Sequence, residues 1–238
     1  LVRIFYFAFI FSLIYSQYNP SEWGSITSLL TPTGIQITDE GIVYVSTSGG
    51  LLEFNPVTEK FNIIKMEDGL EYQDLATIEI DRRGRLWLGG AYPRGYLQVY
   101  DPQKGLVRKI THLDIAIINQ IQIVEDAAFA VYQGSTSSDI GILEFELDDD
   151  DLPVYKDYFN NFSSESSITE ILDLDLFHDS IYVTTNRGVY SGNYEESSLK
   201  SFKNWIRVFN GDSAKQYLPD VRLLISDGVI LKEDNNVW

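Results

Sequence analysis

From Phe61 onward the chain reads FNIIKMEDGLEYQDLATIEIDRRGRLWLGG. Apolar and polar residues alternate across 76–80, an aromatic run occupies 86–89, and a third short run stands at 61–65. Alternation with period two marks a half-buried strand. Asp68-Gly69 and residues 81–84 punctuate these runs, because Asp and Gly accept the left-handed backbone that tight turns require. A strand, turn and strand of this kind has no hydrophobic closure alone, so the pattern predicts further copies packed against it.

The copies are present. Alternating segments stand at 34–37 (GIQI), 77–80 (TIEI), 120–123 (QIQI), 172–177 (LDLDLF) and 222–225 (RLLI). Each leads through a polar or small turn into a second strand: IVYVST from Ile42, RLWLGG from Arg85, AFAVYQG from Ala128, SIYVTT from Ser180 and GVILKE from Gly228. With Tyr44, Trp87, Ala130, Tyr182 and Ile230 as equivalent centres, the steps are 43, 43, 52 and 48 residues. Third strands follow at 50–54, 95–100, 141–147 and 188–191, and fourth strands begin at Phe61, Leu106, Pro153 and Trp205.

Four short strands per unit of roughly 40 to 50 residues is the pattern of β-propeller blades. A helical solenoid needs a 3.6-residue period that is missing here, and a β-sandwich does not predict one strand order repeated at near-constant step. The expected fold is all-β, a β-propeller of four-stranded antiparallel blades, with about five blades in this chain. The last unit, ending LKEDNNVW, runs out before a third or fourth strand. An open blade edge exposes unpaired backbone groups, so the propeller is expected to be incomplete and the chain a fragment.

The unit at 61–101 carries a resemblance. Asp68-Gly69-Leu70, then Asp81, Gly84, Leu86, Trp87 and Gly89, then Gly95 and Tyr100-Asp101, resemble the two-component regulator propeller repeat: a D-G-L turn, D-x-x-G-x-x-W-x-G-T and G-L-x-x-Y-D. The first unit keeps Asp39, Gly41, Tyr44, Gly50 and Phe54, while the third has Ala130 for the aromatic and Ala127-Ala128 for the glycine turn. The resemblance implies either the periplasmic sensor half of a hybrid two-component histidine kinase or an exported propeller of the PorZ-like kind associated with type IX secretion. The segment Glu22-Trp23-Gly24 after a short leader leans toward the second.

Residues 1–16 are set apart as a signal peptide, leaving 17–238 as the propeller domain. Arg3 precedes an apolar run at 4–14 that ends in Ser16 and Gln17, the shape of a secretory leader. The run is shorter than the roughly 20 residues a membrane-spanning helix needs, and no spanning segment is expected after it. Removing the leader takes away one Arg and no acid, so the formal charge of −17 becomes −18. Such an acidic chain, with no cluster of Lys and Arg, is not expected to bind nucleic acid. Cysteine is absent, so neither disulfides nor thiolate metal sites are available. The protein is expected to be exported, to the periplasm, outer surface or medium.

Candidate chemistry is thin. His112 and His178 stand 66 residues apart without a carboxylate cluster, short of the three ligands zinc needs, and read as surface or turn residues. The acids at 148–151 lack the glycine and alternating spacing of a calcium loop and read as a solvated turn. Asp173 and Asp175 share one strand face and read as a polar face rather than a catalytic pair. No catalytic residue, metal or cofactor is expected. In a propeller the loops joining strand two to three, and strand four to the next blade, emerge on one face. Tyr92 and Arg94, with Asn186 and Arg187, lie in such loops and are the candidate ligand-binding residues, suited to a sugar or carboxylate. The expected function is a non-enzymatic exported binding or scaffold module whose partner is a protein or an anionic glycan. The alternatives are a kinase sensor half and a polysaccharide-active propeller enzyme.

Overall fold

A computed structural model describes residues 28–111, 115–136, 138–149, 151–164, 168–195, 198–212 and 214–234. The leader assigned to 1–16, Trp23 and His112 lie outside the described residues. Among the described residues nineteen strands form five antiparallel sheets. Blade 1 holds β1 (Pro32–Ile37), β2 (Val43–Thr47), β3 (Gly50–Asn55) and β4 (Lys60–Ile64), paired in chain order. Blade 2 holds β5 (Leu75–Ile80), β6 (Leu86–Gly90), β7 (Tyr96–Asp101) and β8 (Gly105–Thr111). Blade 3 holds β9 (Ile115–Val124), β10 (Ala127–Gly134), β11 (Ile140–Leu147) and β12 (Pro153–Phe159). Blade 4 holds β13 (Ile171–Phe177), β14 (Ser180–Thr185), β15 (Gly188–Asn193) and β16 (Ile206–Phe209). The first strands β1, β5, β9 and β13 touch in succession, which makes them the inner ring.

Period two explains the packing, because each blade shares one face with each neighbour. In β6, Leu86 and Leu88 join Tyr44, Leu51 and Ile64 of blade 1, while Trp87 turns the other way into blade 3. In β10, Ala128, Ala130 and Tyr132 face blade 2, and Phe129 and Val131 face blade 4. In β14, Ile181 and Val183 pack on blade 3 while Tyr182 leans on the fifth sheet. The result is a row of apolar interblade clusters rather than one central core.

The fifth sheet corrects the reading of the last unit. It holds β17 (Ala214–Leu218), β18 (Leu223–Ser226) and β19 (Val229–Lys232). The inner strand is AKQYL, which contacts β13 and β14. The segment RLLI therefore belongs to the second strand rather than the first, and Ile230 to the third. The alternation of β17 is diluted by exposed Lys215 and Gln216, whereas Tyr217 and Leu224 are buried against blade 4.

The ring does not close among the described residues. Blade 1 turns one cross-strand row, Ile35, Val45, Leu52 and Ile63, and a second, Ile37, Val43, Phe54 and Phe61, away from blade 2. Ile35, Ile37 and Phe61 are 62%, 60% and 66% exposed, so this apolar face is open. The fold is an incomplete β-propeller.

Candidate functional site

The D-x-x-G-x-L-W segment builds a closed knot at the foot of blade 2. Gly84, at φ 73°, turns the chain so that its N–H donates to the Asp81 carbonyl at 2.9 Å. The Asp81 carboxylate accepts from the backbone N–H groups of Arg83 (2.9 Å) and Arg85 (3.0 Å), from Arg85 Nε (2.7 Å) and from the Trp87 indole N–H (3.0 Å). Arg85 then reaches blade 3, where Nη1 donates to the Asp151 carbonyl at 2.6 Å. Arg83 pairs with Asp126 and Asp151, and Arg108 with Asp148. Asp148 and Asp151 of the 148–151 run thus join blade 3 to blade 2. His178 sits in the β13–β14 turn with φ 51°.

Inner strands are stitched by side-chain amides. Gln36 Nε2 donates to Glu79 at 3.0 Å, from β1 to β5. Gln120 on β9 donates to Asp173 (3.0 Å) and to the Leu174 carbonyl (2.9 Å), and accepts from the Leu174 N–H (3.0 Å). Gln216 on β17 also bonds Asp173. Burial is the main cause that raises the pKa of Glu79, Asp173 and Asp175 above the ordinary carboxylate value. Asp173 and Asp175 are thus acids of the inner ring, and Asp173 bridges three blades.

A raised carboxylate binds its proton more readily in the folded chain than in the unfolded one. Its contribution to stability therefore improves as pH falls through the raised value and worsens as pH rises. Asp173→Asn, which keeps an acceptor for Gln120, is expected to leave stability at pH 7 unchanged or higher. It is also expected to flatten part of the change seen between about pH 7 and about pH 4. Urea unfolding of both proteins at stepped pH checks this; a wild-type minus variant difference that grows toward pH 7 would contradict it. Asp101 and Asp126, whose pKa values are lowered, act in the opposite sense in both proteins and cancel in that difference.

The four candidate residues lie on the opposite face, as their loops require. The β6–β7 loop carries Tyr92, 73% exposed, in a cis peptide with Pro93, and beside it exposed Arg94, which has no acidic partner among the described residues. Asn186 and Arg187 form the β14–β15 loop. Asn186 Oδ1 accepts from the N–H groups of Thr169 (3.1 Å) and Glu170 (3.3 Å), and Nδ2 donates to Thr169 Oγ1 at 2.9 Å. Its side chain is committed to holding the segment that enters blade 4. Arg187 pairs with Asp212 at 3.0 Å. Between blades 3 and 4 this face opens into a cleft of about 390 Å³, lined by Asn119, Tyr132, Gln133, Thr169, Glu170 and neighbouring apolar residues. Asn186 thus shapes the cleft wall, a role that depends on partners 16 and 17 residues away in sequence. Asn119, Gln133, Thr169 and Glu170 had no motif to single them out, since each is an ordinary polar residue at a strand end. Among the described residues no group of His, Asp and Glu is placed to hold a metal ion, and no helix is long and apolar enough to cross a membrane.

No protein-family model matches the sequence, and no curated protein is significantly similar to it. Solved structures are similar in fold. A protein described as the extracellular domain of hybrid two-component system BT4673 from B. thetaiotaomicron superposes with a TM-score of 0.60 at 15% identity, over 85% of this chain and 26% of that one. PorZ, a surface component of the type IX secretion system of Porphyromonas gingivalis, gives 0.60 at 16% identity, over 90% and 34%. The extracellular domain described for BT3049 of B. thetaiotaomicron gives 0.55 at 16%, over 89% and 28%. The likeness establishes the propeller fold. The chain spans only 26% to 34% of the length of these proteins.

Proposed function

We propose that the chain is an exported, non-enzymatic β-propeller module that binds a protein or an anionic glycan outside the cytoplasm. Its binding face is the one bearing Tyr92, Arg94, Asn186 and Arg187. In this reading residues 1–16 direct export and are removed. What supports it is the cleft of about 390 Å³ between blades 3 and 4 on that face, together with an Arg94 on the β6–β7 loop of blade 2 that is exposed and without an acidic partner among the described residues. A guanidinium grips carboxylate or phosphate oxygens bidentately, and in so acidic a chain an unpaired one is where an anionic group is accepted. Asn186 serves by fixing the cleft wall rather than by touching ligand.

The test screens the chain against anionic glycans, then compares Arg94→Ala with Arg83→Ala on the far face. Arg94→Ala is expected to weaken binding about tenfold or more, the scale of a charge-assisted hydrogen bond lost, and Arg83→Ala to leave it within about twofold. Loss of binding in Arg83→Ala with Arg94→Ala unaffected would place the site on the opposite face. The second reading, the ligand-sensing half of a hybrid two-component system, draws on the fold shared with the two B. thetaiotaomicron extracellular domains. A transmembrane helix and kinase encoded in the same reading frame would favour it over a PorZ-like surface component.

A further inference from the structure

Blade 3 carries a second cleft, of about 350 Å³, on the side that faces blade 2, and its lining includes Tyr132, Leu143, Tyr155, Tyr158, Asp139 and Asn160. Its construction begins with an irregularity in β12. Tyr155 and Tyr158 are three residues apart, a spacing that puts side chains on opposite faces of a regular strand. The register slips at Lys156, so that Phe145 stands opposite Tyr155 and Leu143 opposite Tyr158. Leu143 and Phe145 share a face, and the bulge therefore brings both tyrosines to that face. The third ring, Tyr132 on β10, lies over Gly141, where a Cβ would come within 2.8 Å of the ring and 3.0 Å of Asn160 Cβ. Glycine at 141 is what lets the ring lie there.

Polar groups converge on the same hollow. The loop after β10 folds back so that the Gly134 N–H donates to the Asp139 carbonyl at 2.6 Å and the Asp139 N–H to the Thr136 carbonyl at 3.1 Å. A Cβ on Gly134 would collide with the Asp139 carboxylate, so the acid is held against the strand rather than left to solvent. Asn160 hydrogen-bonds the Tyr132 hydroxyl, and burial, followed by the Asp139 charge, pushes that phenol up to about 12. Asp139 has no ion-pair partner among the described residues. One cation already lies over a ring of the site: Lys200 Nζ is 5.7 Å from the Tyr158 ring centre while pairing with Asp157 at 2.7 Å.

The geometry points to a binding site for an alkylammonium group, held by the rings of Tyr132, Tyr155 and Tyr158 and neutralised by Asp139. Aromatic rings attract a cation through their negative faces, and three rings with one carboxylate satisfy an ammonium that has few or no N–H donors of its own. The cleft contributes no cation to its lining, and the acidic chain around it raises the local concentration of positive ligands. Tyr132 lines this cleft as well as the one between blades 3 and 4, but Arg94 does not line it, and its other residues take no part in holding Asn186 or Arg187.

Choline and its neutral isostere 3,3-dimethylbutan-1-ol are titrated into the chain by calorimetry, alongside glucose as a neutral polyol. Choline is expected to bind, and the isostere and glucose to bind at least about tenfold more weakly, the size of a cation–π contact in a partly desolvated site. Tyr158→Ala, Tyr155→Ala and Asp139→Asn are each expected to weaken choline by about fivefold to tenfold. Both tyrosines are more than 40% exposed (44% and 43%), so the variants are expected to retain the parent circular dichroism. Equal binding of the isostere, preferential binding of glucose, no choline binding at tens of millimolar, or choline binding indifferent to Asp139→Asn and Tyr158→Ala each overturns the proposal. Arg94→Ala is expected to leave choline affinity unchanged, which separates failure of this site from failure of the anion-accepting face.

Discussion

Asp81→Ala is expected to destabilise the chain by about 3–5 kcal/mol, the scale for removing one partner of a buried ion pair. Asp81 and Arg85 side chains are only 3% and 7% exposed. The carboxylate accepts four hydrogen bonds, two from backbone N–H groups of the turn, one from Arg85 and one from the Trp87 indole. Truncation leaves a buried guanidinium with its charge uncompensated and an indole N–H without its acceptor. Both penalties exceed the modest net worth of a satisfied hydrogen bond. Asp81→Asn keeps an acceptor oxygen but loses the charge and is expected to fall between wild type and Asp81→Ala. Equilibrium urea unfolding followed by tryptophan fluorescence measures all three, and an Asp81→Ala loss under about 1 kcal/mol would show that the knot is ornamental to stability.

That knot explains why Asp81, Gly84 and Trp87 stand at their spacing. Glycine supplies the positive φ, the aspartate closes the turn, and the indole two residues past Arg85 returns to the same carboxylate. The sequence shows the residues of the motif but not the four donors, because two of these are backbone groups and the geometry exists only after the turn forms. The third unit departs from the pattern at Ala128 and Ala130 for a reason equally hidden from a one-dimensional reading. Both alanines belong to the cluster that receives Trp87 from blade 2 and Phe145 from β11. Small residues there accommodate large ones contributed by other strands.

Strand order was legible for four blades because alternation and Asp or Gly turns are local signals. The fifth was misread by one strand, since Lys215 and Gln216 weaken the alternation of β17 and the more apolar β18 and β19 drew the assignment. Sites were less legible than strands. Loop position was enough to place Tyr92, Arg94, Asn186 and Arg187 on one face, but not to tell that the Asn186 amide is spent on Thr169 and Glu170. Buried glutamines were invisible for the same reason. Gln98, fully buried, accepts from the Glu71 N–H at 2.9 Å and donates to the Tyr72 carbonyl at 2.6 Å, pinning the connection between blades 1 and 2. The tyrosine cleft depends on a bulge, and a bulge changes the phase of a strand without changing its composition.

Trp87→Ala is the second large effect, expected to cost about 3–5 kcal/mol, as for burial of a large aromatic followed by a cavity. Trp87 is 2% exposed and packs with Phe145 edge to face, ring centres 6.3 Å apart, among Val99, Ile121 and Leu143. The ring spans the seam between blades 2 and 3, so its loss removes contacts on both blades at once and leaves space that two rigid sheets are slow to fill. Trp87→Phe retains most of the apolar volume but not the N–H that reaches Asp81, and is expected to lose less than alanine. The two sites share that hydrogen bond, so Asp81→Ala and Trp87→Phe should not be additive: their combined loss is expected to fall short of the sum by about 0.5–3 kcal/mol, the range for contacting residues. Strict additivity in a urea double-mutant cycle would mean that the indole N–H is indifferent to Asp81, while a Trp87→Ala loss under about 1 kcal/mol would mean that the seam is held by its aliphatic residues alone.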